Sequence, residues 1–356
     1  MHFVDTTAAL ADVCANLAGS DRLSVDTEFV RERTFFAKLC LLQVATPDGI
    51  WLIDPLAIDD LEPLWALIGT TTLVLHAGRQ DLEVCWQASG RLPKAVLDTQ
   101  VMAGLAGFAP QIGYAALVKT LLDIDLDKSK TRTDWSRRPL DADELAYAAA
   151  DVEHLGDIRQ RLDDQLAGLG RQTWALEDTQ SLLEPRLYKV DTTLAWQRVK
   201  GLSRLAPTAR RAAMAMASWR EQMAIDKNLP RQWVVRDTEL LAIAERYQFD
   251  GRPLKGFENA ATERRYARKL QRFLDENRNS LPEAVPPSAR PDPAERDLVK
   301  QLGKSVASTA TAMNVEPEVL APMRELRAAA RGERDLRVFS GWRRGVVGDS
   351  LLAELS

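Results

Sequence analysis

Two acidic residues, Asp26 and Glu28, lie in the stretch 23–29 among the apolar residues Leu23, Val25 and Phe29. Side chains two residues apart on a strand point to the same face, so a strand here would place both carboxylates side by side. Neighbouring carboxylates in an apolar setting repel each other and lose hydration, which raises both pKa values. A divalent cation removes both penalties because hard cations prefer oxygen ligands. The pair therefore predicts a metal site, although the same acid-x-acid pattern is common in this chain with 51 acidic residues, as at 81/83, 141/143 and 316/318.

Three further residues could complete such a site. Asp81 follows a short apolar stretch at the predicted start of a helix, where a structural cap is the alternative interpretation. Tyr147 and Asp151 are four residues apart, so they share one face of a helix about one turn apart. The alanines at 148–150 leave that surface flat, so a ligand or another backbone could approach it closely. Alternatively, the small residues pack on a sheet and Tyr147 belongs to the core.

These residues fall on a predicted alternation of strands and helices. Strands are predicted at 23–29, 38–46, 50–53, 72–75 and 95–97, and helices at 57–68, 80–88, 115–122 and about 141–166. Short connections between the first three strands indicate an antiparallel meander, and the intervening helices make the later strands parallel. The fold class predicted for this half is α/β, a mixed sheet flanked by helices. Asp141 is the predicted N-cap of the last helix, and Asp98 a structural cap or turn residue.

Strand signals almost vanish after residue 191. Apolar residues at three- and four-residue spacing predict helices at 193–200, 207–228, 237–247 and 262–277. Five prolines between residues 280 and 293 indicate a stiff, extended linker. The predicted domains are an α/β domain at 1–185, an all-α domain at 191–279, the linker at 280–293, and a second all-α domain at 294–356.

Charge is distributed unevenly along the chain. Residues 1–190 contain 18 basic and 29 acidic side chains, whereas residues 191–275 contain 17 basic and 10 acidic ones. This asymmetry is expected when one part of a protein binds metal and another binds phosphates. The alternative is that the basic helices are merely solvated.

The composition is that of a globular protein without a membrane segment. No apolar run approaches the roughly 20 residues of a membrane helix, and the first residues lack the layout of a signal peptide. Three cysteines in apolar contexts predict buried free thiols in a reducing cytoplasm. We therefore expect a cytoplasmic protein with no membrane partner, and a monomer.

The four acids and the tyrosine resemble, in order and spacing, the DEDD family of 3′–5′ exonucleases. Asp26 and Glu28 match its first motif, and Asp81 matches its second. Tyr147 and Asp151 match the third motif of the branch that carries a tyrosine there. The resemblance implies a ribonuclease-H-like exonuclease domain.

The match is closer still to the ribonuclease D family. The segments 98–100 and 128–140 are similar to segments of that family. Residues 219–240 resemble the helicase-and-RNase-D C-terminal (HRDC) domain, and residues 341–345 resemble the end of a second, more weakly marked one. The resemblance covers nearly the whole chain and implies an exonuclease domain followed by two HRDC-like domains.

The resemblance also implies the chemistry. The cofactors would be two divalent metal ions, Mg²⁺ or Mn²⁺, with Asp26 bridging both. Glu28 and Asp151 would complete the site beside the nucleophile, and Asp81 would hold the second ion largely through water. Tyr147 would orient the attacking water. The implied activity is a 3′–5′ exoribonuclease that releases nucleoside 5′-monophosphates and trims tRNA precursors and other small structured RNAs at single-stranded 3′ ends.

Several other residues are candidates for substrate contact. They are Phe29, Phe35, Phe36, His76, Gln80, Lys130 and Arg138. The aromatic rings could stack on terminal bases and the basic side chains could contact phosphates, whereas core packing of the rings and a buried, satisfied His76 are the alternatives. In the first helical domain the candidates for phosphate contact are Arg204, Arg210, Arg211, Lys227, Arg231, Arg264, Arg265 and Arg268. Trp219 and Trp233 are predicted to be core residues.

Two other functions compete with the exoribonuclease. A DNA exonuclease of the same superfamily would use the same carboxylates, and only the doubled HRDC-like arrangement favours the ribonuclease. An inactive RNA-binding protein could use the same fold as a scaffold. The complete set of five motif residues argues against it.

Overall fold

The computed structural model describes residues 1–127, 133–247, 252–285 and 292–356. The chain forms two compact units. The first contains residues 1–30, 39–188 and the chain after residue 291, and the second contains residues 31–38 and 189–290. Within the described ranges, no helix is both long enough and apolar enough to cross a membrane.

A six-stranded mixed sheet forms the framework of the first unit. Strands β1 to β6 are His2–Val4, Arg22–Val30, Lys38–Thr46, Gly49–Ile53, Thr72–Leu75 and Ala95–Asp98. Their spatial order is β1-β4-β3-β2-β5-β6. Strands β3 and β4 are antiparallel, whereas β5 runs parallel to both β2 and β6. The predicted mixed sheet is confirmed; β1 was not predicted because three residues are too few for an alternation signal.

Strand β2 reaches beyond the end of its parallel neighbour β5. Their pairing runs from Arg22 opposite Thr72 to Ser24 opposite Val74. Because β5 ends at Leu75, the later residues of β2 pass its carboxyl end. The carboxyl ends of parallel strands are where open sheets form a crevice. The two acids of β2 therefore lie where such a crevice can form beside the sheet.

Among the described residues before 188, eight α-helices belong to the first unit. Helices α1 to α8 are Thr7–Leu17, Glu62–Thr70, Arg79–Ser89, Thr99–Ala106, Tyr114–Leu122, Ala142–Glu153, Leu155–Gly168 and Gln172–Gln180. Asp141 is the N-cap of α6, as predicted, and forms a reciprocal capping box with Glu144. The single helix predicted at 141–166 is wrong, because α6 ends at Glu153 and α7 begins at Leu155. The three cysteines are free and buried, as predicted.

The second unit is helical. Its helices α9 to α12 are Pro207–Asp226, Arg231–Val234, Asp237–Arg246 and Ala260–Glu276. The helix predicted at 193–200 is a 3₁₀ segment, Thr192–Arg198. Trp219 is a core residue as predicted, with its ring edge-on to Tyr266. Trp233 is 55% exposed, so its predicted place in a core is wrong: the four-residue helix α10 buries Val234 instead.

The C-terminal helices belong to the first unit. Helices α13 to α17 are Pro293–Met313, Pro317–Leu320, Met323–Ala330, Gly341–Arg343 and Asp349–Glu354. Leu302 and Val306 of α13 share one hydrophobic core with Met102 of α4, Leu117 of α5 and Ile158 of α7. The predicted helical region at 294–356 therefore completes a core that it shares with the helices around the sheet. Its assignment as a separate HRDC-like domain stays a prediction.

Candidate active site

Three carboxylates meet near the carboxyl-terminal end of β2. Asp26 and Glu28 lie on that strand, and Asp151 lies in the last turn of α6. One carboxylate oxygen from each lies within 4.8 Å of the other two. They border a cavity of about 270 Å³. Its lining residues are Asp26, Thr27, Glu28, Phe29, His76, Ala77, Gln80, Asp81, Tyr114, Tyr147, Asp151 and Leu155.

Asp81 is tied to the strand that carries the first two acids. It lies in the first turn of α3 and is almost fully buried. Its Oδ1 accepts a hydrogen bond from the Thr27 N–H at 3.1 Å and another from the Thr27 hydroxyl at 2.6 Å. Thr27 lies between Asp26 and Glu28, so one residue of β2 fixes the position of the fourth carboxylate. Asp81 lines the same cavity, outside the group of three oxygens.

The turn before α3 is held by Asp98. This residue is the N-cap of α4, which confirms its predicted structural role. Its carboxylate also accepts hydrogen bonds from the N–H groups of Ala77 and Gly78, at 3.1 and 2.8 Å. Ala77 has a φ of 55°, and a Cβ on Gly78 would lie 2.5 Å from Leu75 Cβ. The turn is tight, and Asp98 stabilises the backbone geometry that directs Asp81 into the cavity.

All four carboxyl groups have raised pKa values. Burial is the main cause for Asp26, and the charges of Asp81, Asp151 and Glu28 add to it. Burial followed by the charges of Asp151 and Asp81 raises the pKa of Glu28 to about 8. Burial raises the pKa of Asp151 to about 7. Burial also raises the pKa of Asp81 to about 6, against the lowering effect of the Thr27 hydrogen bonds.

This set of donors fits divalent cations. Among the described residues that line the cavity there are four acids and no lysine or arginine. Ionised together, the acids would place four negative charges in a small, partly desolvated space, and no basic side chain of that lining would offset them. Hard divalent cations take such oxygen donors, with water and substrate oxygens completing the coordination. Asp26, Glu28 and Asp151 are the three residues whose oxygens are close enough to share an ion.

Tyr147 lies one helical turn before Asp151 and also lines the cavity. Its ring is tilted against that of Trp135, with the centroids 6.2 Å apart. Burial, with the charges of Asp151 and Glu28 as further causes, raises the pKa of its hydroxyl above the ordinary value. The group therefore remains a neutral hydroxyl that can donate one hydrogen bond and accept another.

Three predicted substrate contacts line the same cavity. Phe29 and Gln80 are accessible there. His76 is engaged by the protein: its Nδ1 lies 2.9 Å from the Thr99 hydroxyl and its Nε2 lies 2.9 Å from the Ile112 carbonyl. Burial lowers its pKa, so it is a neutral ring whose two nitrogens already have partners. The structure thus fits the alternative that both ring nitrogens of His76 have partners within the protein. A contact of His76 with substrate stays a prediction.

Arg138 is held by protein acceptors. Its guanidinium forms a two-pronged ion pair with Asp54, at 2.6 and 2.7 Å. The remaining N–H groups donate to the backbone carbonyls of Trp135, Arg137 and Cys40. Arg138 is not among the described residues of the cavity lining. A contact with a substrate phosphate stays a prediction. It would require the Arg138 guanidinium to give up some of these hydrogen bonds.

The other predicted contacts lie elsewhere. Lys130 lies outside the described residues. Phe35 and Phe36 belong to the second unit, with their rings edge to face at 5.0 Å. The N–H groups of both donate to Asn228 Oδ1, and the Arg231 guanidinium lies over the Phe35 ring. Stacking of these rings on RNA bases stays a prediction.

Four residues of the described cavity lining were not predicted from the sequence: Thr27, Ala77, Tyr114 and Leu155. Thr27 has no chemical signal of its own, and only its place between two acids could have drawn attention to it. Tyr114 begins α5, far along the chain from every motif, and nothing local to it predicts its position beside Asp151. Its role depends on long-range contacts, which a single sequence does not display.

Comparison with known proteins gives consistent matches. Residues 1–167 match the family model described as 3′–5′ exonuclease. Ribonuclease D of Nitrobacter hamburgensis is 37% identical in an alignment 365 positions long, which covers 99% of this chain and 94% of that protein. Ribonuclease D of Granulibacter bethesdensis is 37% identical over 97% of this chain and 90% of its own length. The crystal structure of Escherichia coli RNase D, described as an exoribonuclease involved in structured RNA processing, is 28% identical, with a TM-score of 0.87 over 99% of this chain and 98% of that one.

Proposed function

This chain belongs to the ribonuclease D family of 3′–5′ exoribonucleases, and we propose that it trims the 3′ ends of tRNA precursors and other small structured RNAs with two divalent metal ions. The observation that carries the proposal is the group formed by Asp26, Glu28 and Asp151. Their oxygens lie within 4.8 Å of one another in a cavity whose described lining has no lysine or arginine. Enzymes of this family depend on divalent metal ions.

Each residue of the site would have a separate role in phosphodiester cleavage. When bound, two divalent ions would supply an acidified water and neutralise charge on the phosphate. Asp26, Glu28 and Asp151 would hold the ions, because their carboxylate oxygens lie within 4.8 Å of one another, and Asp26 would be the ligand that both ions share. Asp81, held by Thr27, would serve the second ion largely through water. The neutral hydroxyl of Tyr147 would orient the attacking water, since a phenol that stays protonated does not act as a general base.

The expected direction is that of the 3′–5′ exonuclease family model that residues 1–167 match. The end of a single strand would enter the cavity of about 270 Å³, with its last phosphodiester at the carboxylates. Phe29 lines the cavity and offers an aromatic face to a terminal base. Cleavage there releases a nucleoside 5′-monophosphate.

The second unit would bind structured RNA outside the active site, a function called the grip below. On α12, Tyr266, Leu270 and Leu274 form a buried row at four-residue spacing. The exposed basic residues of this helix are Arg264, Arg265, Arg268, Lys269 and Arg272. A helix with one buried row and one basic face is suited to tracking a phosphate backbone.

Other basic residues of the second unit have structural contacts. Arg210 is buried, and its guanidinium donates to the backbone carbonyls of Leu202 and Leu205, so we do not assign it to phosphate binding. Arg231 pairs with the buried carboxylate of Glu221. The basic face of α12 is therefore the surface on which the grip can be tested most cleanly.

The catalytic proposal is tested with single carboxylate variants. Asp26→Asn and Asp151→Asn should each abolish shortening of a 5′-labelled RNA in Mg²⁺ or Mn²⁺. Asp157→Asn, an exposed residue on α7, is the matched control and should leave the rate unchanged. The same RNA with a 3′-phosphate, and DNA of the same sequence, test end and sugar preference, and equal rates on DNA would favour the DNA exonuclease alternative. Full activity of either active-site variant would refute the assignment.

The grip is tested by reversing charge on α12. The triple variant Arg264→Glu/Arg268→Glu/Arg272→Glu should weaken binding of a tRNA precursor and reduce its salt dependence, because fewer counterions are released. The matched control is Arg161→Glu/Lys300→Glu/Arg324→Glu, which makes the same charge change at exposed positions of the first unit. If both triple variants bind with the same affinity and salt slope, the grip does not lie on α12.

A further inference from the structure

The hydroxyl of Tyr114 forms hydrogen bonds with two backbone groups at the end of another helix, α6. It donates to the carbonyl of Ala150 at 3.1 Å and accepts from the N–H of His154 at 3.2 Å. In an unbroken α-helix the N–H of residue 154 would donate to the carbonyl of residue 150. The tyrosine hydroxyl thus bridges the two groups that would otherwise bond to each other.

The insertion coincides with the break between α6 and α7. Helix α6 ends at Glu153 and α7 begins at Leu155. His154, the residue between them, has φ −105° and ψ 4°, outside helical geometry. A side chain inserted into the i→i−4 pattern is one of the recognised causes of a sharp bend in a helix. The Tyr114 hydroxyl accounts for the break at His154, since residues 150–154 contain no proline or glycine.

The bridged turn contains Asp151. Ala150 directly precedes Asp151, and His154 follows it by three residues, so both contacts of Tyr114 fix the backbone that carries this carboxylate. The Tyr114 ring itself lines the cavity and lies against His76, with the centroids 5.7 Å apart. His76 follows the carboxyl end of β5 and bonds to the carbonyl of Ile112, two residues before Tyr114. Tyr114 therefore connects the end of β5 with the helix turn of the third motif.

We propose that Tyr114 is a positioning residue for Asp151. By holding the helix open at this turn, its hydroxyl sets the direction from which the Asp151 carboxylate approaches Asp26 and Glu28. The inference rests on the proposed function, because it concerns how one of the three clustered carboxylates is aimed. Partners that orient metal-binding side chains typically contribute about 10- to 100-fold to metal affinity or activity.

The test compares two variants that each remove one buried tyrosine hydroxyl. Tyr114→Phe keeps the ring and deletes the bridge. Tyr188→Phe is the matched control, since the Tyr188 hydroxyl donates to the Leu182 carbonyl at 2.6 Å and does not line the cavity. Both full-length proteins are titrated calorimetrically with Mn²⁺ alone, and their RNA cleavage is measured as kcat and KM over a range of Mn²⁺ concentrations.

We expect Tyr114→Phe to weaken Mn²⁺ binding by about 10-fold and to lower kcat at limiting Mn²⁺, with KM for RNA changed less than about twofold. Tyr188→Phe should keep the Mn²⁺ affinity and kcat of the unsubstituted protein, whatever its effect on melting temperature. Equal Mn²⁺ affinity for Tyr114→Phe and the unsubstituted protein would overturn the positioning role. Absence of Mn²⁺-dependent RNA cleavage by the unsubstituted protein would instead overturn the proposed function, so the two failures are distinguishable.

Discussion

Thr27 binds Asp81 through two hydrogen bonds to the same carboxylate oxygen, one from its N–H at 3.1 Å and one from its hydroxyl at 2.6 Å. The residue that separates Asp26 from Glu28 thereby also positions Asp81. Both hydrogen bonds favour the ionised carboxylate and oppose the rise in the Asp81 pKa that burial causes. The relationship links the strand of the first motif directly to the helix of the second.

Replacing Thr27 with valine should impair the site without changing its shape. Thr27→Val keeps the side-chain volume and deletes the hydroxyl donor, so the Asp81 pKa should rise and its carboxylate should become less fixed. We expect RNA cleavage to fall by about 10-fold and unfolding free energy to fall by about 1.5–3 kcal/mol, the range for a hydrogen bond to a charged group. Urea denaturation and steady-state kinetics measure both effects.

The control for that variant is Thr179→Val. Thr179 is fully buried, and its hydroxyl donates to the Ala175 carbonyl at 2.8 Å, away from the cavity. Thr179→Val should lower the free energy of unfolding and leave the rate of RNA cleavage unchanged. If Thr27→Val behaves like this control, the contact with Asp81 has no part in activity.

Stability of the metal-free protein should fall as pH rises. The folded pKa values of Asp81, Asp151 and Glu28, about 6, 7 and 8, lie above the unfolded values near 4. A carboxyl group with a raised folded pKa imposes no cost below its unfolded pKa. Its cost grows with pH across the window from about 4 to 8 and is complete above the folded pKa. The melting temperature in EDTA should therefore be higher at pH 6 than at pH 8.5.

Asp26→Asn provides the critical comparison for this pH dependence. Removing one of the crowded charges should raise the metal-free melting temperature at pH 8.5, because the remaining carboxylates then repel one another less. The same variant should lose most of the stabilisation that Mg²⁺ or Mn²⁺ gives to the unsubstituted protein. An unchanged or lower melting temperature in EDTA would show that charge repulsion in this cluster is not significant.

Tyr147→Phe should slow the chemical step and leave binding nearly intact. The hydroxyl is expected to align water, and misalignment of a reactant can cost about 100-fold in rate. Because the Tyr147 pKa is raised, the pH–rate profile should keep its shape when the hydroxyl is removed. Single-turnover cleavage and RNA binding in Ca²⁺ measure the two effects separately, and an unchanged single-turnover rate would refute the orienting role.

The ion pair between Arg343 and Asp178 should stabilise the first unit strongly. The Arg343 guanidinium makes two hydrogen bonds to the Asp178 carboxylate, at 2.5 and 2.6 Å, and two more to the Val319 carbonyl. Arg343→Met leaves the Asp178 charge poorly compensated and should cost about 3–5 kcal/mol in urea denaturation. Arg344→Met is the matched control, because the neighbouring Arg344 pairs with Asp349 on the exposed surface and should change stability by less than about 1 kcal/mol. Similar losses in both variants would contradict this account.

Local patterns predicted the main parts of the fold correctly. Strand alternation identified β2 and the common face of Asp26 and Glu28, because side-chain direction on a strand depends only on residue parity. Helical spacing likewise placed Tyr147 and Asp151 on one face of α6. The N-cap at Asp141 was predictable because a capping box is completed within four residues of chain.

The errors arose where distant residues compete with local preference. Residues 141–166 have the apolar spacing of one continuous helix, yet Tyr114, about 40 positions away along the chain, breaks it at His154. Trp233 is large and apolar, and a hydrophobicity pattern favours burying it, but the short helix α10 directs Val234 inward instead. Neither outcome has a signal within a local window of sequence.

By itself, the sequence determined which side chains could bind metal, because residue type and spacing along one strand and one helix are local properties. The tertiary structure decided how those residues are grouped. The carboxylate oxygens of Asp26, Glu28 and Asp151 lie within 4.8 Å of one another, and Thr27 holds Asp81 beside them. It also decided that the helices after residue 292 share a core with those around the sheet. The physical reason is that packing and hydrogen bonds between residues far apart in the chain depend on the folded arrangement of several elements at once.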